Sequence, residues 1–192
     1  MTIDEAINFA ARAHAGQMRK GTSLPYITHP FGVALLLACA GATETQIIAG
    51  LLHDTVEDTD TTIAEIGQHF GSAVAQIVAD CTESDKHLPW ETRKRHTLEQ
   101  LPGLPDSSLL VILADKLHNI RTIAAAQAEC GERVWQRFNR PREVQQWYYR
   151  QLVIVFSQLE YTRQHPFFTA FRETVARVLG GAQSTETEVT ER

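Results

Sequence analysis

Apolar residues recur at spacings of three and four along almost the whole chain, and no segment alternates between apolar and polar residues. Near the N-terminus, one such stripe consists of Ile3, Ala6, Ile7, Ala10 and Ala13. An α-helix completes a turn about every 3.6 residues, whereas a strand alternates every two, so this pattern predicts helices and no legible β-sheet. We therefore expect an all-α fold, a single helical bundle of about eight to ten helices.

Capping residues and helix breakers divide this pattern into segments. Thr2 with Glu5, and Thr62 with Glu65, have the spacing of capping boxes, in which side chains bind free backbone N–H groups at a helix start. Pro30 suits the first turn of a helix that ends before residue 41. Further helices are expected at about 43–52, 72–81, 90–100, 106–126, 131–138, 141–165 and 166–179.

The chain has 192 residues, a length at which a single domain is the usual outcome. Residues 1–179 contain no internal repeat and no long linker, so we expect them to form one domain. Residues 180–192 have almost no apolar side chains, and we expect a disordered polar tail there.

The net charge of −5 argues against wholesale binding of nucleic acid or anionic membranes, because the protein as a whole repels polyanions. No secretory signal is visible at the acidic N-terminus, and the apolar stretch 33–40 is too short to span a bilayer. The three cysteines form no Cys-x-x-Cys pair, which favours a reducing cytoplasm, with Cys39 and Cys81 in the core. The oligomeric state stays open.

Two apolar runs lead directly into carboxylates. Residues 51–52 precede His53 and Asp54, and residues 109–114 precede Asp115. An ionised carboxylate in apolar surroundings is costly unless it is paired, protonated or bound to a metal. One metal ion would satisfy several such groups at once.

A second imidazole, His29, lies at the start of the Pro30 helix. With His53, Asp54 and Asp115 it makes a set of two nitrogen and two oxygen donors from three segments. Such a set leaves positions on a metal ion open for water and substrate. Donor type alone does not choose among manganese, zinc and iron.

Three segments closely resemble the alarmone hydrolase family of the HD phosphohydrolase superfamily. They are residues 19–30 (RKGTSLPYITHP), 53–59 (HDTVEDT) and 114–121 (ADKLHNIR). The superfamily signature is an adjacent His-Asp pair after an apolar helix, with a second Asp about sixty residues later. The similarity extends over about residues 4–121 and becomes vague beyond about 129.

This resemblance implies an HD-domain bundle and a manganese-dependent enzyme. Its expected reaction removes the 3′-diphosphate from guanosine tetra- or pentaphosphate, giving GDP or GTP and pyrophosphate. By motif position, His29, His53, Asp54 and Asp115 would hold the Mn²⁺ ion.

Glu57 and Asp58 match the Glu-Asp pair of the family, which positions and activates the attacking water. If the helix continues past Asp54, residues three and four positions further on share its face. A carboxylate within hydrogen-bonding reach of a metal-bound water can accept its proton.

Arg19, Lys20 and Asn119 match substrate-binding positions of the family. A substrate with four or five phosphates needs cations directed at the site despite the negative net charge. Asn119 follows Asp115 by one helical turn on the same face. Lys86 is a further candidate for phosphate binding.

Other residues of these regions carry no assigned role. His118 stands where the family commonly has an aromatic residue, and we give it no metal-binding role. Residues 93–95 (RKR) suit an exposed helix face as well as phosphate binding, and the aromatic residues of 135–149 are expected in the core.

Two alternatives remain open at this point. The same metal motif can act on another nucleotide, such as the 2′-phosphate of NADPH, because the metal handles the phosphoryl group while the base is recognised elsewhere. Alternatively, the chain is a regulator that binds alarmone without turnover. The presence of both Glu57 and Asp58 argues against that second possibility.

Overall fold

The structure, a computed structural model, describes residues 2–83 and 87–180. Within these ranges it has ten α-helical segments and no β-strand beyond one isolated bridge between Met18 and Pro25. The all-α prediction is confirmed. Lys86 and residues 181–192, on which the tail prediction falls, lie outside the described residues.

The helices follow one another along the chain with short connections. They are α1 (Ile3–Ala13), α2 (Thr28–Cys39), α3 (Glu44–Leu52), α4 (Thr55–Asp58), α5 (Ile63–Cys81), α6 (Trp90–Gln100), α7 (Asp106–Cys130), α8 (Arg142–Gln158), α9 (Glu160–Gln164) and α10 (Pro166–Leu179). Two 3-10 helices, Leu101–Gly103 and Gly131–Arg137, precede and follow α7.

Capping boxes start α1, α3 and α5. In each, a threonine oxygen accepts the N–H of the residue three positions on, whose side chain accepts the threonine N–H in return. Two of these boxes, at Thr2 and Thr62, are those predicted from the sequence. The third pairs Thr43 with Gln46.

Several helix boundaries differ from the predictions. α7 continues four residues beyond the predicted end at residue 126. α2 starts at Thr28, which puts Pro30 in its first turn, as predicted. The predicted helix 141–165 is divided into α8 and α9 at Leu159, whose backbone is extended. The helix break predicted at Gly71 is present as a kink within α5, where Gly71 has a φ of +82° and interrupts the helical backbone.

The core consists of two clusters of buried side chains that share α7. Leu110, Val111 and Ala114 pack with α1, α2, α3 and α5 in the first cluster. Leu113 and Leu117 pack with α8 and α10 in the second. Consecutive residues of α7 therefore face different halves of the molecule.

The three cysteines are unpaired. Cys39 is exposed, so its predicted place in the core was wrong: it is the last residue of α2 and lies two positions after the buried Leu37, on the other face. Cys81 is half-buried and packs against both clusters, as a core position requires. Among the described helices, none combines the length and the apolar content that a membrane span needs.

Candidate functional site

Three helical segments bring two imidazoles and a carboxylate to one point. His29 comes from the first turn of α2, His53 from the turn after α3, and Asp115 from the middle of α7. Asp115 Oδ1 lies 3.1 Å from His29 Nε2 and 3.7 Å from His53 Nε2. All three residues are buried, and one ligand atom from each lies within 4.8 Å of the others.

Asp54 completes the predicted set of four. Its Oδ2 atom lies 3.5 Å from His29 Nε2 and 3.2 Å from His53 Nε2. The Tyr26 hydroxyl donates a hydrogen bond to the same oxygen at 2.6 Å. Two nitrogens and two carboxylate groups therefore converge, and we call His29, His53, Asp54 and Asp115 the metal cluster.

The residues present fit a divalent cation. His53 Nε2 is buried and faces the carboxylates of Asp54 and Asp115, but it makes no well-oriented hydrogen bond within the described residues. The Nδ1 atom of the same ring lies 2.8 Å from the carbonyl oxygen of Gly50. A backbone carbonyl bound to one imidazole nitrogen leaves the other directed at a metal, as is usual for metal-binding histidines. The mixed set also matches the donor preferences of several transition metals.

The ionisation of these groups reflects burial and mutual attraction. Burial lowers the pKa of His29 although Asp115 opposes it, whereas the carboxylates of Asp54 and Asp115 outweigh burial at His53 and raise its pKa well above the usual value. The imidazoles in turn keep the pKa of Asp54 low against the effect of burial. A cation bound here would replace the imidazole proton, since a metal-binding histidine is neutral.

His118 contacts the metal cluster, which its sequence position did not indicate. Its Nδ1 atom lies 2.8 Å from His29 Nδ1, so the two rings share a hydrogen bond. Gly32 makes room for this ring, because a Cβ atom there would lie 2.0 Å from His118 Nε2. In the sequence, only its spacing of three residues from Asp115 pointed to this contact. That spacing is too common among surface histidines to predict it.

Asn119 and Lys116 hold the carboxylate of Asp115 from the same helix. The Asn119 amide donates to Oδ1 at 2.6 Å, and the Lys116 ammonium donates to Oδ2 at 2.7 Å. Asn119 Oδ1 also accepts a hydrogen bond from Arg19 at 3.5 Å. Asn119, which was predicted to bind substrate, therefore links Arg19 to Asp115 of the metal cluster.

The Glu57 and Asp58 side chains occupy different surroundings. α3 ends at Leu52, and these two residues lie on the one-turn helix α4, which starts directly after Asp54. The Asp58 N–H donates to the Asp54 carbonyl at 2.9 Å, so the helical turn expected past Asp54 is present, although it is separate from α3. Glu57 is half-buried and its Oε2 atom accepts a hydrogen bond from the Glu83 N–H at 3.4 Å. Asp58 is exposed and lines a separate cavity of about 510 Å³.

A cavity of about 790 Å³ lies beside the metal cluster. Residues that hydrogen-bond members of the cluster line it, among them Tyr26, Lys116 and His118. Arg19 and Lys20 also line it, Arg19 half-buried and donating to Thr122 Oγ1 at 3.1 Å. A volume of this size accommodates a small organic ligand.

The sequence did not reveal the position of several residues in or near the cavity wall. Lys94 is largely buried there rather than on an exposed face, and Arg93 forms an ion pair with Glu83 at 2.6 Å. Tyr148 and Tyr149 are buried, as predicted for the core, but they also line the cavity. α6 lacks a clear apolar stripe, so periodicity could not orient it.

Fold and site together define an all-helical protein with an imidazole–carboxylate cluster beside a ligand cavity. The chain belongs to the HD domain family, which matches residues 6–140. The resemblance drawn from the three motif segments is thus confirmed.

Relatives with assigned activities support this placement. The chain is 46% identical over 148 residues to the guanosine-3′,5′-bis(diphosphate) 3′-pyrophosphohydrolase MESH1 of Xenopus tropicalis, covering 76% of this chain and 79% of that protein. A guanosine-3′,5′-bis(diphosphate) 3′-pyrophosphohydrolase from Aquifex aeolicus is 38% identical over 135 residues, which are 69% of this chain but 19% of that protein.

Two solved structures share the fold. One is lmo0812 from Listeria monocytogenes EGD-e, with a TM-score of 0.74 and 38% identity, covering 80% of this chain and 99% of that one. The other is a metazoan ortholog of SpoT that hydrolyzes ppGpp, with a TM-score of 0.73 and 28% identity, covering 91% of this chain and 93% of that one.

Proposed function

We propose that this chain is a metal-dependent 3′-pyrophosphohydrolase of guanosine 3′,5′-bis(diphosphate) and of the corresponding pentaphosphate. The observation that carries the proposal is the convergence of His29, His53, Asp54 and Asp115 beside a cavity lined by cations. The relatives named for this activity support the choice of substrate. We propose the cytoplasm as its compartment because its three cysteines are unpaired, which suits a reducing environment.

The metal cluster would hold the ion, which we propose to be Mn²⁺ on the strength of the family resemblance. A bound divalent ion lowers the pKa of a coordinated water and stabilises charge on the phosphoryl oxygens. Tyr26, Asn119 and Lys116 hold the two carboxylates of the cluster in place.

Glu57 is suited to accept the proton of the attacking water. Burial raises the pKa of its carboxyl, and the negative charges of Glu83 and Asp54 raise it further, which makes the carboxylate a better base. Asp58 remains a predicted partner in this step. The water oxygen bonds to the phosphorus attached to O3′, the P–O3′ bond breaks, and its electron pair and a proton go to O3′.

Residues of the cavity wall bind the substrate. Arg19 and Lys20 supply cations for phosphate oxygens. Asn119 lies between Arg19 and Asp115, so it is placed to contact the sugar beside the reacting phosphate. Lys86 remains a predicted phosphate contact outside the described residues.

The test is incubation of metal-stripped protein with guanosine 3′,5′-bis(diphosphate), with and without Mn²⁺. Anion exchange and phosphorus NMR resolve the products. GDP and pyrophosphate formed only with metal are the expected result. Tight binding without any product would instead favour a non-catalytic regulator, and turnover of NADPH alone would identify another nucleotide as the substrate.

A further inference from the structure

A second group of cations lies in the cavity wall, apart from the loop cations Arg19 and Lys20. Lys94 on α6 and Lys116 on α7 both line the cavity, with 16% and 19% of their side chains exposed. Burial lowers the pKa of Lys94, and the nearby charge of Lys116 lowers it further. Two ammonium groups that line one cavity repel each other, so an anion bound between them would be stabilised.

Among the residues that the structure describes, each ammonium has one carboxylate partner and so retains donors for such an anion. Lys94 forms an ion pair with Glu83, and Lys116 donates to Asp115 Oδ2 at 2.7 Å. An ammonium has three N–H donors, so a single carboxylate partner leaves others available. The other oxygen of Asp115 lies 3.1 Å from His29 Nε2, so the negative charge of this carboxylate faces both Lys116 and His29.

Tyr148 supplies an independent sign of a ligand. Its hydroxyl is buried without a hydrogen-bond partner in the described part of the chain, and the residue is only 4% exposed. Tyr148 lines the cavity, and its ring centroid lies 5.1 Å from Lys94 Nζ. Because a buried hydroxyl without a partner is costly, its presence beside two cations indicates a bound acceptor.

We propose that Lys94, Lys116 and Tyr148 form a phosphate subsite next to the metal cluster. It binds the terminal phosphate of a diphosphate whose inner phosphate lies at the cluster, since Lys116 adjoins the cluster residue Asp115. Phosphate oxygens accept hydrogen bonds from ammonium and phenol groups. The subsite rests on the proposed function and deepens it, because it selects a 3′-diphosphate over a 3′-monophosphate.

The subsite also has a route to the proposed base. Glu83 pairs with Lys94 through its carboxylate, and its backbone N–H donates to Glu57 Oε2 at 3.4 Å. A phosphate that draws Lys94 towards the cavity therefore acts on a residue that holds Glu57. Terminal phosphate binding and placement of the base are thus structurally connected.

The first test compares two substrates, guanosine 3′,5′-bis(diphosphate) and guanosine 5′-diphosphate 3′-monophosphate. Lys94→Met keeps the apolar stem and removes the charge, and we expect kcat/KM for the diphosphate to fall about 10–100-fold more than kcat/KM for the monophosphate. Tyr148→Phe should lower kcat/KM for the diphosphate about 3–10-fold relative to kcat/KM for the monophosphate. Arg95→Met, an exposed position on the same helix, is the matched control and should behave as wild type.

The second test measures binding rather than turnover. Inorganic pyrophosphate and orthophosphate are titrated calorimetrically into the Mn²⁺-loaded protein and its variants. We expect Lys94→Met to weaken pyrophosphate binding about 10-fold or more and to leave orthophosphate binding unchanged. Circular dichroism establishes that each variant is folded, and Tyr148→Phe provides the same comparison with a smaller change in packing.

Two results would overturn the subsite. One is an equal loss for both substrates in Lys94→Met and Tyr148→Phe, and the other is wild-type preference for pyrophosphate in both variants. Failure of the proposed function is distinguishable from either, because it would appear as no turnover of the bis(diphosphate) by the wild-type protein. The calorimetric comparison would still decide the subsite in that case.

Discussion

The Nδ1 atoms of His29 and His118 lie 2.8 Å apart, so one candidate metal ligand is hydrogen-bonded to another imidazole. The opposite nitrogen of His29 faces the carboxylates of Asp54 and Asp115. If that nitrogen binds a metal, His29 Nδ1 carries the proton and donates a hydrogen bond to His118 Nδ1. Burial lowers the pKa of His118 to about 4, which keeps this ring neutral and able to accept.

Replacing His118 should therefore weaken metal binding without removing a ligand. We expect His118→Leu to lower Mn²⁺ affinity about 10–100-fold, as is typical for loss of an outer hydrogen-bond partner. His118→Asn is the matched control, because its Oδ1 atom is bonded to Cγ as Nδ1 is in histidine and can accept the same proton. Electron paramagnetic resonance of free Mn²⁺ measures the affinity of each variant. Equal affinities for His118→Leu and His118→Asn would contradict a role of His118 as hydrogen-bond acceptor.

Gly32 offers a second approach to the same contact. A Cβ atom at this position would lie 2.0 Å from His118 Nε2, so Gly32→Ala should displace the ring and destabilise the fold by about 1–3 kcal/mol. Gly67→Ala is the control, because its Cβ would lie 3.7 Å from the Cβ of Ala75, and it should stabilise α5 by about 0.5–1 kcal/mol. Urea unfolding gives both values, and a neutral Gly32→Ala would show that the ring is free to move.

Asp115→Asn should weaken metal binding more than any change at His118, because it removes a charged donor from the cluster itself. The expected loss exceeds the roughly 10–100-fold effect of an outer partner. Mn²⁺ should raise the melting temperature of the wild-type protein and not of this variant, since only a bound ligand stabilises the fold. Asp106→Asn, exposed on the same helix, is the control. Wild-type Mn²⁺ affinity in Asp115→Asn would remove Asp115 from the ligand set.

Glu57→Gln should separate chemistry from metal binding. The amide keeps the size of the side chain but cannot accept a proton, and general base catalysis typically contributes about 10²–10⁴-fold. We therefore expect kcat to fall by about that factor while Mn²⁺ affinity stays at the wild-type level. Single-turnover assays with guanosine 3′,5′-bis(diphosphate) measure the rate. A variant that turns over normally would exclude Glu57 as the base.

The Glu57 carboxyl should titrate above its usual range in the metal-free protein. Burial raises its pKa, with further contributions from Glu83, Asp54 and Asp58. Between the ordinary value of 4.5 and the raised one, the folded chain retains a proton that the unfolded chain has lost. The contribution of this group to the free energy of unfolding therefore decreases as pH rises through that window.

Carbon-13 NMR spectra of the wild-type protein and of Glu57→Gln are recorded across a pH series. The carboxyl signal that is present only in the wild-type protein reports the titration of Glu57. Glu83→Gln should move it to lower pH, because it removes a negative neighbour and leaves Lys94 unpaired beside Glu57. Glu99→Gln, exposed on α6, should not move it. An unchanged titration in Glu83→Gln would mean that the Glu83 charge does not contribute to the raised pKa of Glu57.

The sequence predicted the parts of this site that depend on local pattern. Asp54 and Asp115 stood out because each follows an apolar helix, where a lone carboxylate needs a partner, and the structure brings them to the same two imidazoles. The capping box at Thr2 could also be predicted from the sequence, because its two residues are only three positions apart.

What the sequence could not show depends on contacts between distant segments. Tyr26 and Asp54 are 28 positions apart, and His29 and His118 are 89 apart, so no periodicity relates them. Lys94 was ambiguous because α6 has charged residues on several faces. Only its packing against Trp90 and Tyr148, with ring centroids 5.6 and 5.1 Å from its ammonium, shows which side is inward.

The division of α7 between two buried clusters has a consequence for cooperativity. Asp115 lies next to Ala114 of the first cluster and two positions from Leu113 and Leu117 of the second. A partly unfolded form that kept only one cluster would lose the alignment of Asp115 with the two imidazoles. Ion binding should therefore slow hydrogen exchange in α1 and α10 together, although neither helix contributes a ligand.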